Sequence, residues 1–440
     1  MWITIAQFLL SLSILIVLHE LGHFGAAKWF KTRVEKFYLF FNPGFSLFKI
    51  QKGETEYGIG WLPFGGYVKI SGMIDESFDK EQMQGEAQPW EFRSKPAWQR
   101  LIIMVGGVTV NFLLGIFLFA MLLWVYGESY IPTSSVKEGI SVDSIAFEMG
   151  LRDGDNILKI GDKDFEKFNT GILTKEIIIN EAKTISILRD GKEQLLDIDP
   201  RFSKELIKYK NRNLQLIEPR IPFVIAELVK DSPGDKAGIN LGDRILEING
   251  QSSTYAHQFY KIMREIKEGP ISLNLLRDQD TLNMQLVLEN GKIGVTPFGI
   301  TKYIELRKEK FTLGQAIPGG WNKSYLFITD QIKAFGQMFT GKINPKESLG
   351  SFITIGKMFG TDWNWERFWG MTAMLSILLG FINLLPIPAL DGGYVMFLLF
   401  ESITGIKVPD RVMEIATFVG FILLIILMVY ALGLDISRLF

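Results

Sequence analysis

Four apolar stretches constrain this chain more than any other feature of its sequence. They predict membrane spans at residues 1–30, 101–126, 368–402 and 413–436, because each approaches the ~20 residues that a helix needs to cross a bilayer. Inside lipid the backbone finds no water, so each stretch must satisfy its own hydrogen bonds as a helix. The sequence therefore predicts a polytopic α-helical membrane protein with four transmembrane helices. The first stretch is read as an uncleaved anchor, because it lacks a charged leading segment and a small-residue cleavage site.

The first apolar stretch contains the pentapeptide His19-Glu20-Leu21-Gly22-His23. On a helix this spacing places both imidazoles on one face, where they can bind one Zn²⁺, and it places Glu20 as a general base. A single histidine on an apolar helix is usually a packed core residue. Here two of the three histidines of the chain fall in one motif, and ionisable residues inside a membrane are mostly functional. The motif therefore favours a zinc site within the bilayer.

Composition limits the ligands and partners that such a site can have. The chain has no cysteine, so disulfides and thiolate ligands are excluded and any zinc must be held by histidines and carboxylates. The 47 basic and 48 acidic residues nearly cancel, which gives no reason to expect a nucleic-acid partner. The lipid bilayer is the expected environment.

A third zinc ligand is needed, because catalytic zinc is usually held by three protein side chains and keeps one open position. Asp391 is an acid in the apolar third stretch, and it follows Pro386 and Pro388, which remove helix hydrogen bonds. A broken helix is tolerated in a membrane where it lines a cavity within the protein. We therefore predict that Asp391 faces the zinc. The alternative, an ion pair with Lys or Arg, lacks a basic residue nearby in the span.

Residues 31–100 predict a membrane-associated β-hairpin between the first two spans. Two apolar runs flank a turn at residues 51–54, and Gly58 and Gly60 follow. Glycines at these places let the backbone bend and be approached closely. We expect the hairpin to enter the bilayer, which requires other parts of the protein to cover its backbone.

The long insert between the second and third spans contains an internal repeat. Residues 149–160 align with residues 237–248, and both share Gly-x-x-x-Gly-Asp. The spacing is too long for a solenoid and predicts two β-rich domains, at 127–215 and 216–300. The pattern resembles bacterial PDZ domains, which implies that extended peptides could bind by strand addition; the domains could instead be plugs or spacers. Residues 301–367 then predict an amphipathic, interfacial helical region.

Basic residues indicate the orientation in the membrane. They follow the first span, precede the second and separate the third from the fourth: Lys28, Lys31, Arg33, Lys36, Lys95, Arg100, Lys407 and Arg411. Because basic loops stay in the cytoplasm, we predict that the two PDZ-like domains are periplasmic and that the active site lies toward the cytoplasmic side.

His19-Glu20-x-x-His23 together with the run from Asn383 through Pro386 to Asp391 resembles the site-2 protease family of intramembrane zinc metalloproteases. The resemblance implies that His19, His23 and Asp391 bind zinc and that Glu20 is the catalytic acid and base. It implies that Asn383 holds the substrate backbone or stabilises the oxyanion. We count Pro386, Gly58 and Gly60 as further substrate-binding candidates.

The same resemblance implies a function in a bacterial inner membrane. The expected reaction is hydrolysis of peptide bonds within single-span proteins such as anti-sigma factors, and of signal-peptide remnants, in envelope stress signalling. The PDZ-like pair would exclude substrates with bulky outer domains. Two alternatives remain at this point: a non-enzymatic membrane scaffold that presents two PDZ domains, and an anchored zinc peptidase that cuts soluble segments.

Overall fold

The structure, a computed structural model, describes residues 2–73, 86–211 and 214–438 of the chain. Two units follow from the residue contacts. Unit 1 consists of Met1–Gly127, Lys310–Met338 and Leu349–Phe440, and unit 2 consists of Glu128–Glu309 and Phe339–Ser348. Unit 1 contains the predicted spans, and unit 2 contains the internal repeat.

The helices and strands are numbered in chain order. The helices are α1 (Trp2–Trp29), α2 (Ala97–Val125), α3 (Ser144–Glu148), α4 (Thr170–Ile178), α5 (Arg201–Ile207), α6 (Pro233–Lys236), α7 (Ala256–Glu265), α8 (Leu313–Phe339), α9 (Pro345–Ser348), α10 (Phe352–Lys357), α11 (Trp365–Leu384), α12 (Asp391–Thr404) and α13 (Asp410–Ser437). The strands are β1 (Val34–Phe41), β2 (Phe48–Lys52), β3 (Thr55–Ile59), β4 (Leu62–Ile70), β5 (Glu128–Pro132), β6 (Ile140–Val142), β7 (Asn156–Ile160), β8 (Lys163–Asp164), β9 (Lys167–Phe168), β10 (Thr184–Arg189), β11 (Lys192–Asp197), β12 (Ile217–Pro219), β13 (Ile225–Leu228), β14 (Arg244–Ile248), β15 (Gln251–Ser252), β16 (Gly269–Arg277), β17 (Asp280–Leu288), β18 (Val295–Pro297) and β19 (Arg307–Glu309).

Four helices in the described part of the chain are long and apolar enough to cross a membrane: α1, α2, α11 and α13. They fit the four predicted spans. Within the third predicted span, 368–402, the helix is broken as the two prolines predict: α11 ends at Leu384 and a separate helix, α12, begins at Asp391. Pro386 and Pro388 lie in the break, where they cannot donate backbone hydrogen bonds.

Helix α2 lies at the centre of unit 1, between α1 and α11. Its backbone approaches α1 closely, since a Cβ built on Gly22 would lie 2.3 Å from the backbone oxygen of Gly106. A Cβ on Gly115 would lie 2.5 Å from the Ile377 side chain of α11. Small residues at membrane helix contacts allow this approach, and it holds α1, α2 and α11 close together around the candidate site.

The segment between α1 and α2 forms a four-stranded sheet in the order β2-β3-β1-β4, which is larger than the hairpin that the sequence predicts. Strands β2 and β3 do form a hairpin, with Gly53 at a positive φ of 62° in its turn. Strand β1 then pairs in parallel with β3 and antiparallel with β4. Non-local pairing of this kind depends on tertiary contacts that the sequence pattern does not reveal.

Unit 2 contains two similar folding units, here called the first repeat (β6 to β12) and the second repeat (β13 to β18). In the first, Arg189 donates to the buried Asp155 at 2.7 Å, and in the second, Arg277 donates to the buried Asp243 at 2.8 Å. Burial acts to raise the pKa of the Asp243 carboxyl, but the hydrogen bonds from Arg277 and the backbone of Asn240 hold that pKa below its ordinary value. The repeated Gly-Asp pattern thus marks a shared buried ion pair.

The pairing of strands moves the predicted boundaries in this region. Strand β12 pairs with β6, so the first repeat extends past residue 215, where the sequence predicts its end. Strand β19 pairs with β5, so part of the predicted helical region 301–367 belongs to a sheet of unit 2. These short strands are recognisable only through their distant partners.

Helix α8 accounts for most of the helical character that the sequence predicts in residues 301–367. A Cβ on Gly320 would lie 2.6 Å from the backbone nitrogen of Ala120, so one face of α8 packs on α2. Trp321 and Tyr325 are exposed on this helix. Its position in the membrane interface stays a prediction.

Candidate metal centre

His19 and His23 lie on the buried face of α1, and their Nε2 atoms are 3.2 Å apart. The Asp391 Oδ2 atom, from the first turn of α12, lies 3.3 Å from each of these two nitrogens. This oxygen is buried, and no donor in the described part of the chain is aligned to form a hydrogen bond with it. The structure thus brings together the three predicted metal ligands from the first and third spans.

The three atoms fit a zinc ion. Ligand atoms at ~2.0–2.1 Å from a tetrahedral zinc are separated from one another by about 3.3 Å, which matches the distances between the two nitrogens and the carboxylate oxygen. Two imidazoles and one carboxylate are also a ligand set known for catalytic zinc, and they leave a fourth position open. Among the described residues, His19, His23 and Asp391 form the cluster of histidine and carboxylate side chains that could hold a metal.

The ring nitrogen of His23 that does not face the cluster, Nδ1, has a partner that fixes the orientation of the ring. His23 Nδ1 lies 2.9 Å from the backbone oxygen of Ile103 on α2. Because a carbonyl oxygen only accepts hydrogen bonds, Nδ1 carries the proton and donates it. The Nε2 lone pair is then free for a metal, which is the usual arrangement of metal-binding histidines.

The outer nitrogen of His19 faces Asn111, a fully buried residue of α2. The Asn111 amide nitrogen, as placed, lies 2.9 Å from His19 Nδ1, and no group among the described residues forms a hydrogen bond with the buried Asn111 Oδ1 atom. The oxygen and nitrogen of an amide are assigned from their hydrogen-bond partners. If His19 Nε2 binds a metal, Nδ1 must donate, so Oδ1 must be the amide atom that faces it. Ser376 fixes this segment by donating to the Asn111 backbone oxygen at 2.7 Å.

Sequence reasoning missed Asn111 as a functional residue. The available signal was a single amide side chain in an apolar span, since polar residues are costly in lipid and usually have a reason to be there.

We predict that Asn111→Leu weakens zinc binding by about 10–100-fold, the usual effect of losing the outer partner of a metal-binding histidine. Asn111→Asp should retain zinc, because a carboxylate also accepts from Nδ1. Competition with a chelator, followed by zinc analysis, measures the effect. Ser11→Ala is the matched control, since it removes a buried contact of 2.9 Å to Thr372 elsewhere between the spans. Equal zinc affinity in Asn111→Leu and Ser11→Ala would contradict the orienting role.

The break before α12 determines where Asp391 points. Ala389 has a positive φ of 83°, which is unusual for a residue with a Cβ. Gly392 lets the new helix begin close to the break, since its Cβ would lie 2.1 Å from the backbone oxygen of Leu385. The turn, the glycine and the two prolines together place an acid at the start of α12, facing the histidines.

Asn383, on the last turn of α11, also reaches the cluster. Its side-chain nitrogen lies 3.4 Å from His19 Nε2. Pro386 lies in the break between α11 and α12, a few residues from Asp391. Asn383 is placed where a substrate near the histidines could contact it, and the binding roles of both residues stay predictions.

Glu20 directly follows His19 on α1 and lies next to strand β4. A Cβ on Gly66 would lie 3.7 Å from Glu20 Cγ and 2.6 Å from Ile16, so the strand backbone passes close to the helix. The backbone of Val68 also lies close to the Glu20 carboxyl group. The predicted base thus lies between the histidine pair and a strand.

The structure does not bring Gly58 and Gly60 to the cluster. A Cβ on Gly58 would lie 2.3 Å from the Tyr38 ring, and one on Gly60 would lie 2.1 Å from the backbone oxygen of Phe41. Both glycines thus serve packing against β1, and β1 separates β3 from β4. Substrate binding by these glycines stays a prediction without a structural contact behind it.

We predict that Gly107→Ala disrupts the site. A Cβ on Gly107 of α2 would lie 2.4 Å from His23 Nε2 and 2.7 Å from His19 Cε1, so a methyl group would displace the rings that must converge. Zinc content and cleavage rate should both fall. Gly25→Ala is the control, because its Cβ would meet nothing within 4 Å. A Gly107→Ala protein with full zinc content and parental activity would show that this close approach is not needed.

Two histidines and an aspartate converge between apolar helices, with a glutamate beside them, which is the set of side chains that the sequence predicts for a metallopeptidase site. The chain belongs to Peptidase family M50, whose profile matches residues 7–427. This confirms the resemblance to the site-2 proteases, and the protein is a zinc metalloprotease of that class.

Relatives are similar over nearly their whole length. "Regulator of sigma E protease" of Haemophilus influenzae is 30% identical over 458 residues, covering 99% of both chains. "Regulator of sigma-E protease RseP" of Escherichia coli is 31% identical over 460 residues, covering 99% of this chain and 98% of the relative. "Putative zinc metalloprotease RSc1411" of Ralstonia nicotianae is 28% identical over 470 residues, covering 100% and 99%.

Proposed function

We propose that this protease hydrolyses peptide bonds within the membrane-spanning segments of single-span proteins. The observation that carries the proposal is the position of the site: His19 and His23 lie within an apolar helix long enough to span a membrane, and Asp391 reaches them from the break in the third span. A site at this depth is accessible to substrates that are themselves in the bilayer.

In this proposal His19, His23 and Asp391 hold the zinc, and Glu20 moves the proton. Zinc in such a site acts as a Lewis acid and makes water a better nucleophile. Glu20 takes the proton from water and later delivers it to the leaving amine. The hydrogen bonds of His19 with Asn111 and of His23 with Ile103 keep both rings oriented during the reaction.

A substrate helix must unwind locally before it can be cut, because its carbonyl groups are already hydrogen-bonded. Strand β4 is the last strand of its sheet and runs past Glu20. We propose that its outer edge pairs with the unwound segment by strand addition. Asn383 then holds the substrate backbone or stabilises the oxyanion near the cluster.

The biological setting is proposed from the relatives. Two of them are named as regulators of sigma E, so anti-sigma factors are the proposed substrates, and signal-peptide remnants are further ones. The protein would reside in the bacterial inner membrane and act in envelope stress signalling. Unit 2 would be periplasmic and the site would lie toward the cytoplasm, according to the distribution of basic residues. A non-enzymatic scaffold does not agree with membership in the protease family.

We further propose that unit 2 excludes substrates with bulky outer domains, and we predict its effect on selectivity. The parent protein should cut a single-span substrate with a short outer segment and leave one with a folded outer domain intact. A variant lacking residues 128–309 should cut both at similar rates. Glu128 pairs with Glu309 across β5 and β19, so a short linker can close the deletion. Unchanged selectivity after the deletion would count against this filter.

A further inference from the structure

Each repeat of unit 2 ends in a three-residue strand that pairs along one edge. Strand β12 pairs with β6, and strand β18 pairs with β13. Within the described ranges, no strand pairs with the outer edge of β12 or β18. An unpaired edge is the place where an extended peptide can add to a sheet. The backbone groups that these two edges present decide whether a peptide can add there.

In the first repeat, the backbone oxygen of Leu216 accepts a hydrogen bond from Asp143 at 3.1 Å, on the side of β6. Backbone groups alternate in direction along a strand. Ile217 and Pro219 therefore present their backbone to the outer edge. Proline has no N–H, so the second outward position of β12 cannot donate to a peptide.

The second repeat has the same arrangement. The backbone nitrogen of Phe298 donates to the backbone oxygen of Val224 at 3.0 Å, on the side of β13. Val295 and Pro297 therefore face the outer edge. The register pairs Pro219 with Ile140 and Pro297 with Ile225, the first residues of β6 and β13. The two prolines thus occupy equivalent places in the two repeats.

Both outward backbone groups of Ile217 in β12 are already satisfied by the chain itself. Thr170 Oγ1, on the first residue of α4, accepts from the Ile217 backbone nitrogen at 3.2 Å and donates to the Ile217 backbone oxygen at 3.4 Å. One hydroxyl therefore takes the place that a peptide backbone would need. The corresponding helix of the second repeat begins with Ala256, which has no hydroxyl.

We propose that the β12 and β18 edges are closed to strand addition by an incoming peptide. Pro219 and Pro297 each lack the backbone N–H that another residue would offer at its edge. The Thr170 hydroxyl already forms hydrogen bonds with the backbone of Ile217 in β12. Short edge strands and prolines are general means of protecting sheet edges. Closed edges imply that the repeats influence substrates through their bulk, without capturing peptides at these strands.

Hydrogen exchange of the Ile217 amide in the full-length, detergent-solubilised protein tests the hydrogen bond from this amide to the Thr170 hydroxyl. Thr170→Val should speed this exchange by about fivefold, as expected for the loss of one hydrogen bond. Thr170→Ser, which keeps the hydroxyl, should exchange like the parent. The same Ile217 exchange rate in Thr170→Val and in the parent would overturn the contact.

Peptide selection tests the closed edges. A random peptide library carrying photocrosslinkers is panned against the parent, against Pro297→Ala, and against the double variant Thr170→Val, Pro219→Ala. The parent should yield no crosslinks to β12 or β18. The single variant should gain them at β18 and the double variant at β12, while both still cleave a membrane substrate. Crosslinks to either strand in the parent, or none in the opened variants, would refute the proposal.

Discussion

Replacing Glu20 with Gln is expected to reduce peptide-bond cleavage by about 10²–10⁴-fold, the usual contribution of a general base, and to leave the zinc content unchanged. Glutamine has nearly the same size and can keep the contact with the backbone of Val68, so the local packing should survive. It cannot take a proton from water. Because the metal ligands of the proposal are His19, His23 and Asp391, the ion should remain bound.

The measurement pairs zinc analysis of the purified variant with its cleavage rate on a single-span substrate in lipid vesicles. Glu54→Gln is the matched control, since Glu54 is an exposed acid that contacts Lys28 at the end of α1. It should cleave like the parent. Parental activity in Glu20→Gln would disprove the base assignment, whereas loss of zinc would indicate that Glu20 is itself a ligand.

Replacing Asp391 with Ala is expected to abolish both zinc binding and cleavage. The change removes the carboxylate oxygen that lies 3.3 Å from each histidine nitrogen, and two histidines alone do not make a catalytic zinc site. The loss of affinity should exceed the ~10–100-fold expected from removing an outer partner such as Asn111.

Asp435→Asn provides the control for Asp391→Ala. Asp435 is also a buried aspartate of a span, but it accepts hydrogen bonds from Ser351 and Thr354 at the start of α10. Its replacement should leave the zinc content intact even if it lowers the stability of the fold. Full zinc occupancy in Asp391→Ala would remove this residue from the ligand set.

The three candidate metal ligands could be predicted from sequence because a polar or charged side chain is costly inside an apolar span. His19 and His23 have a spacing that one helix face enforces, and Asp391 is an acid in an apolar span after two helix-breaking prolines. The structure brings these three side chains together through the packing of α1 and α12 around α2. The family match supports zinc chemistry without naming the ligands.

Other parts of the fold could not be predicted because they depend on distant partners. The parallel pairing of β1 with β3 and the extension of the first repeat to β12 have no local signal. The role of Asn111 depends on the single imidazole that faces it across two helices. The sequence favours Gly58 and Gly60 as points of backbone access for a substrate, but their lack of a side chain makes room for β1.

Mapping the cleavage site tests the central claim most directly. The parent protein and Glu20→Gln are reconstituted with zinc in lipid vesicles that contain a single-span substrate, and mass spectrometry identifies both new termini. The proposal predicts that the parent cuts a peptide bond inside the spanning segment and that the variant produces neither fragment. A cut confined to a soluble segment of the substrate would contradict it and would favour an anchored peptidase that acts outside the bilayer.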